Sequence, residues 1–406
     1  MSLSSRLLII LVILTGRAHF GEARPVDSIS EPRQLHEIEV KATAPRRVLR
    51  MQSDGLTDIN ASLLGEQAAF MGANDPMALL RTLPAVATSN DLQAAFTVRG
   101  SGTGANLFES DGVRVVNPMH MLGLYSAFNS AYYRRFAFRA GRIPATTQAV
   151  TAGTFEALSG STPDTTLCGT AAVGLIESHG AIRVPLRKGR TSLAAGARTT
   201  YINSIFPDLL KLGHSKIKYS FTDVNLAFTA MPDSLNLLRI TAFANGDKMS
   251  LTSDKSGTKD GDFGWKNLAA GAHWTHGSLE VSAGFSRYSN RFAMEQGGRH
   301  LSLPSSLTQA TAKALLPVRE FTLGADVSYR YTSGQNGHGK NRAAEASLAA
   351  IWGHTFAGRL HLNAGLRLSG YHCGSYNTIV PQPRVDLSYR FADNFSVFAA
   401  YGRYAR

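Results

Sequence analysis

The chain from about residue 168 onwards consists of segments in which small or apolar side chains alternate with polar ones. The segment RLHLNAGLRLSGY, which begins at Arg359, is representative. Its polar face carries Arg359, His361, Asn363, Arg367 and Ser369, whereas Leu360, Leu362, Ala364, Leu366 and Leu368 share the other face. A period of two indicates β-strands with two chemically different faces.

These segments are about ten residues long, against about five or six for a typical soluble strand. Several end in an aromatic residue, such as Tyr331, Tyr371 and Tyr404. Strands that cross a bilayer need about 9–11 residues and carry aromatic girdles at the two interfaces. The pattern therefore predicts an antiparallel transmembrane β-barrel of about eleven or twelve strands in residues 168–406. A soluble β-sandwich is the alternative.

The N-terminus predicts export. Arg6 precedes the apolar run LLIILVILTG, and small residues follow it at Gly21 and Ala23. This run has about half the length needed to span a bilayer as a helix, so residues 1–23 are interpreted as a secretory signal peptide. An N-terminal membrane anchor is the alternative. Since no later segment approaches about 20 apolar residues, the exported chain is either soluble or a β-barrel.

Composition narrows the function classes. The net charge of +13 favours anionic lipid headgroups, lipopolysaccharide or an acidic ligand as partners. The densest basic runs, such as RKGR at 187–190, are too short to indicate nucleic-acid binding. Cys168 and Cys373 show no metal-ligand spacing, and two free thiols are favoured over one long-range disulfide. The absence of G-x-S-x-G, H-E-x-x-H and paired-cysteine motifs disfavours an exported enzyme.

Two regions of different composition precede the strands. Residues 24–57 are polar and proline-bearing, with one β-prone stretch, HEIEVKATA, at 36–44. Residues 58–160 are compact and mixed. They include a helical pattern at DPMALLRTLPAV, a glycine-rich stretch at VRGSGTG and a D-G hairpin signal at Asp111-Gly112.

Several pieces of the chain resemble the TonB-dependent outer-membrane receptors, especially those of Bacteroidetes-type bacteria. The pieces occur in the same order as in that family. In the region 58–160 they are LLRTLPAVATSND, FTVRGSGTGANLFESDGVRVVNP, HMLGLYSAFN and YYRRFAFRAGRIPA. In the barrel region they are IRVPLRKGRTSLAAGARTTYINSIFP, YSFTDVNLAFTA and PQPRVDLSYRFADNFSVFAAYGRYAR. Each fragment alone is weak evidence for the family, and the resemblance depends on their shared order.

The resemblance implies a mainly β fold: a small α+β plug domain at 58–160, followed by an antiparallel transmembrane β-barrel. It implies active uptake of a small nutrient, such as a ferric chelate, cobalamin or a glycan, with no cofactor. Candidate substrate contacts lie in 101–105 and 117–122, although the substrate-binding residues stay unknown. The plug-motif positions carried over are Arg99, Gly100, Asp111, Gly112, His120, Gly123 and Asn129.

The stretch 36–44 resembles the TonB box, which binds the TonB-type energy-coupling protein. Residues 24–57, which contain it, are therefore predicted to be a periplasmic segment. An extended peptide can add to a sheet edge through its backbone, so little side-chain specificity is needed. A plain linker is the alternative. The predicted TonB-binding residues are Ile38, Glu39, Val40, Lys41, Ala42, Thr43 and Ala44.

His120 lies between Met119 and Met121, and an imidazole with two thioethers suits a soft metal. Because the resembling family element itself begins with a histidine, a packed plug residue is favoured over a metal site.

Two departures from the family are visible. The G-G-R sequence that usually follows the plug is absent from residues 146–174. The family barrel has 22 strands, and only about half of that number is present here. The sequence therefore predicts a fragment or a truncated product, and a non-transporting remnant or adhesin is the alternative function.

Overall fold

The computed structural model describes residues 48–52, 54–66, 74–88, 94–120, 123–148, 150–206, 211–212, 215–253, 259–296, 299–334, 340–392 and 395–405. Within the chain, Arg46–Arg406 form one compact unit. The predicted signal peptide and the TonB-box-like stretch 36–44 lie outside the described residues. No helix in the described ranges has the length and apolar character required to cross a bilayer.

The N-terminal part of this unit, the plug domain, is built around a six-stranded sheet of order β1-β2-β9-β10-β5-β6. Two further pairs, β3 with β4 and β7 with β8, are separate hairpin-like ladders. The strands are β1 (Leu49–Met51), β2 (Thr57–Asn60), β3 (Val86–Thr88), β4 (Phe96–Val98), β5 (Leu107–Ser110), β6 (Val113–Arg114), β7 (Met119–His120), β8 (Tyr125–Ser126), β9 (Arg135–Arg139) and β10 (Thr154–Leu158).

The plug sheet begins inside the range 24–57 that the sequence assigns to a periplasmic segment, because β1 pairs antiparallel with β2. Strand β10 pairs antiparallel with β9 and parallel with β5. Alternate positions of these strands fill an aromatic core. Its fully buried members include Phe96, Phe128, Phe136, Phe138 and Phe155.

The helical pattern at DPMALLRTLPAV forms a single 3₁₀ helix, Ala78–Thr82, with Met77 and Leu80 buried on its inner side. Pro84 cannot continue a helix, and this keeps the element short. The other 3₁₀ helices of the described plug residues are Ala61–Glu66 and Thr103–Ala105.

The C-terminal part is a large antiparallel sheet in which each strand pairs with the next along the chain. Its strands are β11 (Cys168–Val173), β12 (Glu177–Arg187), β13 (Thr191–Thr200), β14 (Lys211–Leu212), β15 (Ser215–Ala230), β16 (Asn236–Ser253), β17 (Lys259–His276), β18 (Leu279–Gln296), β19 (Arg299–Val318), β20 (Phe321–Gly334), β21 (Asn341–Phe356), β22 (Leu360–Cys373), β23 (Tyr376–Ala392) and β24 (Phe395–Gly402). A short helix, α1 (Ile202–Ile205), lies between β13 and β14.

The strand count corrects the sequence-based prediction. Among the described residues, thirteen strands form one continuous series and β14 pairs beside β15, rather than eleven or twelve strands in all. Strand β19 is hard to recognise because Pro304 and Pro317, residues that usually mark strand ends, lie inside it. Within the described part of the chain β11 and β24 do not pair, so the sheet is a partial barrel. Cys168 and Cys373 are free and exposed.

The two faces of this sheet differ as the alternation predicts. Along β15, Tyr219, Phe221 and Asp223 are buried, whereas Val224 and Leu226 are exposed. The buried face is covered by the plug domain. At one end of the sheet, here called the turn end, the connections are short, as at 188–190 and 277–278. The opposite end, the loop end, carries the longest connection, 201–214.

Candidate functional site: the interface between plug and barrel

A buried polar network centred on His120 joins the plug domain to the sheet. The short ladder of β7 and β8 presents the imidazole to the inward face of β15 and β16. Its Nε2 lies 2.7 Å from Asp223 Oδ1, and its Nδ1 lies 2.7 Å from Asp247 Oδ2. The ring also stacks on Phe221, with 4.1 Å between the centroids. Both nitrogens of His120 are thus engaged by carboxylates of the barrel wall.

Two further wall residues complete this arrangement. Arg198 Nε donates to Asp223 Oδ2 at 2.6 Å, and its guanidinium also donates to the backbone carbonyl of Ser126 in the plug. The hydroxyl of Tyr219 donates to Asp247. We call His120, Asp223, Asp247, Arg198 and Tyr219 the lock network. All five side chains are buried.

The lock network favours the charged form of the His120 imidazole. Burial lowers the pKa of His120, because it disfavours the charged imidazole. The attraction of Asp223 and the hydrogen bonds to Asp223 and Asp247 outweigh burial, so the pKa is raised. Two carboxylates thus face Arg198 and His120 in a buried space. Such groups are costly to desolvate and are strongly coupled to one geometry. The network therefore specifies how the plug is seated in the barrel.

A second tether involves Asn129 and Tyr133. The Asn129 Nδ2 donates to the Ala197 carbonyl at 3.2 Å, and its Oδ1 accepts from the Ala131 N–H at 3.0 Å. The Tyr133 hydroxyl donates to Asn225 Oδ1 at 2.9 Å. The predicted motif residue Asn129 therefore both shapes its own loop and binds the backbone of the wall.

A third tether holds the opposite side of the plug. Arg142 forms an ion pair with Asp386 on β23. From the same strand, Arg384 Nη1 donates to the Ile143 carbonyl at 3.2 Å. The plug is thus attached to strands on both sides of the lumen.

The Asp111-Gly112 pair forms the predicted hairpin turn between β5 and β6, with φ values of +47° and +74°. Asp111 Oδ1 accepts from the Ser159 N–H at 2.9 Å and lies 3.3 Å from Arg239 Nη2 on β16. Glycine suits position 112, because its φ of +74° is rarely adopted by other residues and a Cβ would lie 3.0 Å from His273 Cε1 in the wall. This turn seats the plug hairpin against the sheet.

Beside this turn lies a polar cavity of about 380 Å³ between the plug sheet and strands β16–β19. Glu109 and Glu156 occupy paired positions on the parallel strands β5 and β10, and Lys313 lines the cavity from β19. Among the described residues, neither carboxylate forms a hydrogen bond or an ion pair. Burial, followed by repulsion from Glu156, raises the pKa of Glu109 to about 8, and burial, followed by Asp111, raises the pKa of Glu156.

This carboxyl pair predicts a pH dependence. Because folding raises both pKa values, the folded state binds protons more tightly than the unfolded state between the usual carboxyl pKa of 4.5 and about 8. The free energy of unfolding is therefore expected to fall as the pH rises through this window, by about 1.4 kcal/mol for each pKa unit by which folding raises a group. The measurement is urea unfolding of the detergent-solubilised chain at pH 4.5, 6 and 8. The double variant E109Q/E156Q is expected to flatten this dependence, and an unchanged slope in the variant would contradict it.

The remaining predicted motif residues act inside the plug. Arg99 (φ +50°) and Gly100 (φ +76°) form the turn after β4, and the Arg99 N–H donates to the Ala85 carbonyl. The Gly123 carbonyl accepts from the Ala94 and Ala95 N–H groups. These three positions shape loops and do not join the lock network.

The structure describes one of the two predicted substrate-contact ranges in full and the other in part. Residues 101–105 include the 3₁₀ helix Thr103–Ala105, whereas in 117–122 the last two residues are not described. The carbonyls of Asn117 and Met119 accept from Asn267 Nδ2 and Trp265 Nε1 of β17, at 3.4 and 2.9 Å. In the described ranges no group of three or more His, Cys, Asp or Glu side chains is arranged to hold a metal ion, and His120 is packed between carboxylates.

Sequence reasoning missed the wall partners of the lock network: Asp223, Asp247, Arg198 and Tyr219. A signal for Asp223 was present, because in YSFTDVNLAF it shares a face with Tyr219 and Phe221, away from the apolar Val224 and Leu226. An acidic residue among buried aromatic ones requires a partner. The sequence does not predict which residue is that partner, since His120 lies 103 positions earlier in the chain.

Comparison with known proteins agrees with this architecture. The family model described as "TonB dependent receptor-like, beta-barrel" matches residues 190–406, more than half of the chain. No curated protein matches the chain significantly in sequence.

Solved structures of siderophore receptors share the fold. A mutant of the ferric enterobactin receptor PfeA from Pseudomonas aeruginosa, in complex with enterobactin, has 14% identity and a TM-score of 0.63, and the match covers 87% of this chain and 63% of that one. The siderophore receptor PirA from Acinetobacter baumannii has 11% identity and a TM-score of 0.60, with 86% and 60% covered. FpvA from P. aeruginosa, bound to heterologous pyoverdines, has 12% identity and a TM-score of 0.60, with 85% and 56% covered. The chain thus spans about 60% of the length of these receptors.

Proposed function

Because this chain belongs to the family of TonB-dependent receptors, we propose that it is an outer-membrane receptor that imports a scarce nutrient into a Gram-negative cell. The observation that carries the proposal is the plug domain seated on the inward face of the sheet by the lock network. A plug held by a few coupled side chains blocks the lumen at rest and is released when those contacts are broken together.

The orientation follows from the connections between strands. In outer-membrane barrels the short turns face the periplasm and the longer loops face outwards. The turn end, with 188–190 and 277–278, is therefore assigned to the periplasm, and the loop end to the exterior. Outward aromatic residues near the turn end, such as Trp274 and Phe321, mark the inner interface.

Energy coupling is assigned to residues 36–44, with Ile38 to Ala44 adding as a strand to the TonB-type protein. The first described strand after this segment is β1, at the edge of the plug sheet, where only three residue pairs join it to β2. A pull on the N-terminal segment acts on this edge. Because only three residue pairs join β1 to β2, little energy is needed to separate this edge from the sheet.

Among the nutrients considered, a ferric chelate is the substrate class we favour over cobalamin or a glycan. The similar solved structures are named as receptors for siderophores: ferric enterobactin and pyoverdines. At 11–16% identity this likeness supports the fold, and the substrate assignment depends on those names alone.

Deleting residues 36–44 tests the proposed function. The deletion is expected to reduce uptake of a radiolabelled ferric siderophore to the background of a strain lacking the protein, because the plug no longer receives energy. A matched deletion of nine residues, 24–32, is expected to leave uptake near the wild-type level. Uptake of ⁵⁵Fe-enterobactin and ⁵⁵Fe-pyoverdine is measured under iron limitation, with ⁵⁷Co-cyanocobalamin in parallel.

An equal uptake in both deletion strains would contradict the assignment of 36–44. If the wild-type chain reaches the outer membrane but takes up none of the three probes, the result favours the alternative of a non-transporting remnant or adhesin.

A further inference from the structure

A second cavity between plug and barrel has a volume of about 200 Å³ and lies against β21–β24. We call it the arginine cavity, because three guanidinium groups line it. Arg139 and Arg142 come from the plug, and Arg384 comes from β23. Two carboxylates, Asp54 and Asp386, also line the cavity, so its charged groups carry a net charge of +1 (3 − 2). This excess of positive charge favours an anion.

Two of these guanidinium groups have a buried nitrogen without a hydrogen-bond partner. Arg142 donates to Asp386 through Nε and Nη2, and its Nη1 has no partner. Arg384 donates through Nη1 to two backbone carbonyls of the plug and through Nη2 to Gln382 Oε1 at 3.2 Å, and its Nε has no partner. Buried donors are normally satisfied, so these two nitrogens indicate a missing acceptor.

The charge of Arg384 is also uncompensated. Arg139 forms an ion pair with Asp54, and Arg142 forms one with Asp386. In the described ranges no ion pair joins Arg384 to a carboxylate. Only 6% of Arg384 and 4% of the Arg142 side chain are exposed to solvent, so water does not replace the missing partner. A buried charge is costly unless it is paired, and an anion in the cavity would remove this cost.

Aromatic rings hold both guanidinium groups in place. The Cζ of Arg142 lies 4.6 Å from the centroid of the Phe398 ring, and the Cζ of Arg384 lies 4.6 Å from the centroid of the Tyr404 ring. Each ring covers a flat face of its guanidinium group, so the N–H groups at the edge stay available to an acceptor. A planar guanidinium edge is complementary to a carboxylate.

We propose that the arginine cavity binds a small organic monocarboxylate, whose two oxygens accept from Arg142 Nη1 and Arg384 Nε. The other walls of the cavity include the apolar side chains of Ile143, Pro144 and Ile351, which suit the hydrocarbon part of such a ligand better than a phosphate. The volume is below the roughly 300–1,000 Å³ of pockets for drug-sized ligands, so the ligand is small.

The bound carboxylate joins a plug residue to a wall residue. It therefore adds a link between the two domains and stabilises the seated plug. This inference goes beyond the proposed function, because it depends neither on energy coupling nor on the transported nutrient.

The test is isothermal titration calorimetry of the detergent-solubilised full chain with sodium propionate. Propionamide has nearly the same shape without the charge, and inorganic phosphate at equal ionic strength has charge without an apolar part. The variant R384Q removes the unpaired cation. Its matched control is R390Q, which removes an exposed arginine from the same strand. The variant I351F narrows the cavity and keeps every charge. Circular dichroism of each variant checks that the strand content is unchanged.

We expect R384Q and I351F each to bind propionate at least about tenfold more weakly than the wild type, the size expected for losing a hydrogen bond to a charged group. R390Q is expected to bind as the wild type does, and propionamide at least about tenfold more weakly than propionate. If R384Q changes the strand content, I351F and propionamide decide the result.

The proposal is overturned if the wild type does not bind propionate, or if R384Q and I351F both bind it as R390Q does. Equal binding of propionamide would also overturn it, because the arginines would then have no role. Phosphate binding as tightly as propionate would exclude the assignment to a carboxylate. Failure of the uptake test together with normal propionate binding would leave this inference intact.

Discussion

Replacing Asp223 with alanine is expected to weaken the seating of the plug by about 3–5 kcal/mol. The carboxylate accepts from Arg198 Nε at 2.6 Å and from His120 Nε2 at 2.7 Å, and it is fully buried. Its removal leaves the buried Arg198 guanidinium without a carboxylate partner and leaves His120 with Asp247 alone. Breaking one side of a buried network costs more than the network contributes as a whole, because the remaining charges stay unpaired.

Trp265 provides the readout, since its Nε1 donates to the Met119 carbonyl of the plug. In a W274F/W352F background it is the one remaining tryptophan of the chain, which has three. Its emission in a urea titration is expected to shift to the red at a lower urea concentration in D223A. The matched control is E295A, an exposed carboxylate on β18, which is expected to behave as the parent does. If D223A and E295A release the plug at the same urea concentration, the lock network has no such role.

Replacing Gly196 with valine is expected to displace the plug by overpacking, at about 1–3 kcal/mol. Gly196 lies on the inward face of β13, and a Cβ there would lie 2.7 Å from the Tyr132 Cβ. Tyr132 is buried and packs against Tyr133 with 4.9 Å between the ring centroids, so it has no space into which to move. The plug segment that carries it must shift instead.

Gly246 is the matched control, because it lies on the outward face of β16. A Cβ at this position would meet Lys266 Cγ at 3.7 Å, an ordinary contact. Valine favours strands over glycine, so G246V is expected to be neutral or slightly stabilising, whereas G196V loosens the plug. The measurement is the rate of trypsin cleavage of the plug together with the Trp265 titration. Equal cleavage rates for the two variants would show that the inward surface of β13 tolerates added volume.

The sequence by itself determined the fold class. A period of two is a local property of the chain, so the alternation in RLHLNAGLRLSGY predicts β22 and its two faces without tertiary information. The D-G turn at Asp111-Gly112 is equally local, because both residues tolerate positive φ. The number of strands was harder to predict, since Pro304 and Pro317 interrupt the strand pattern of β19.

Only the tertiary structure decided which polar residues meet. Strand parity assigns Asp223 and Asp247 to the inward face, but it does not say that both carboxylates engage His120, which comes from a different domain. Contacts between strands depend on how far each strand is shifted against the next, and the pattern within any single strand carries no information about that shift.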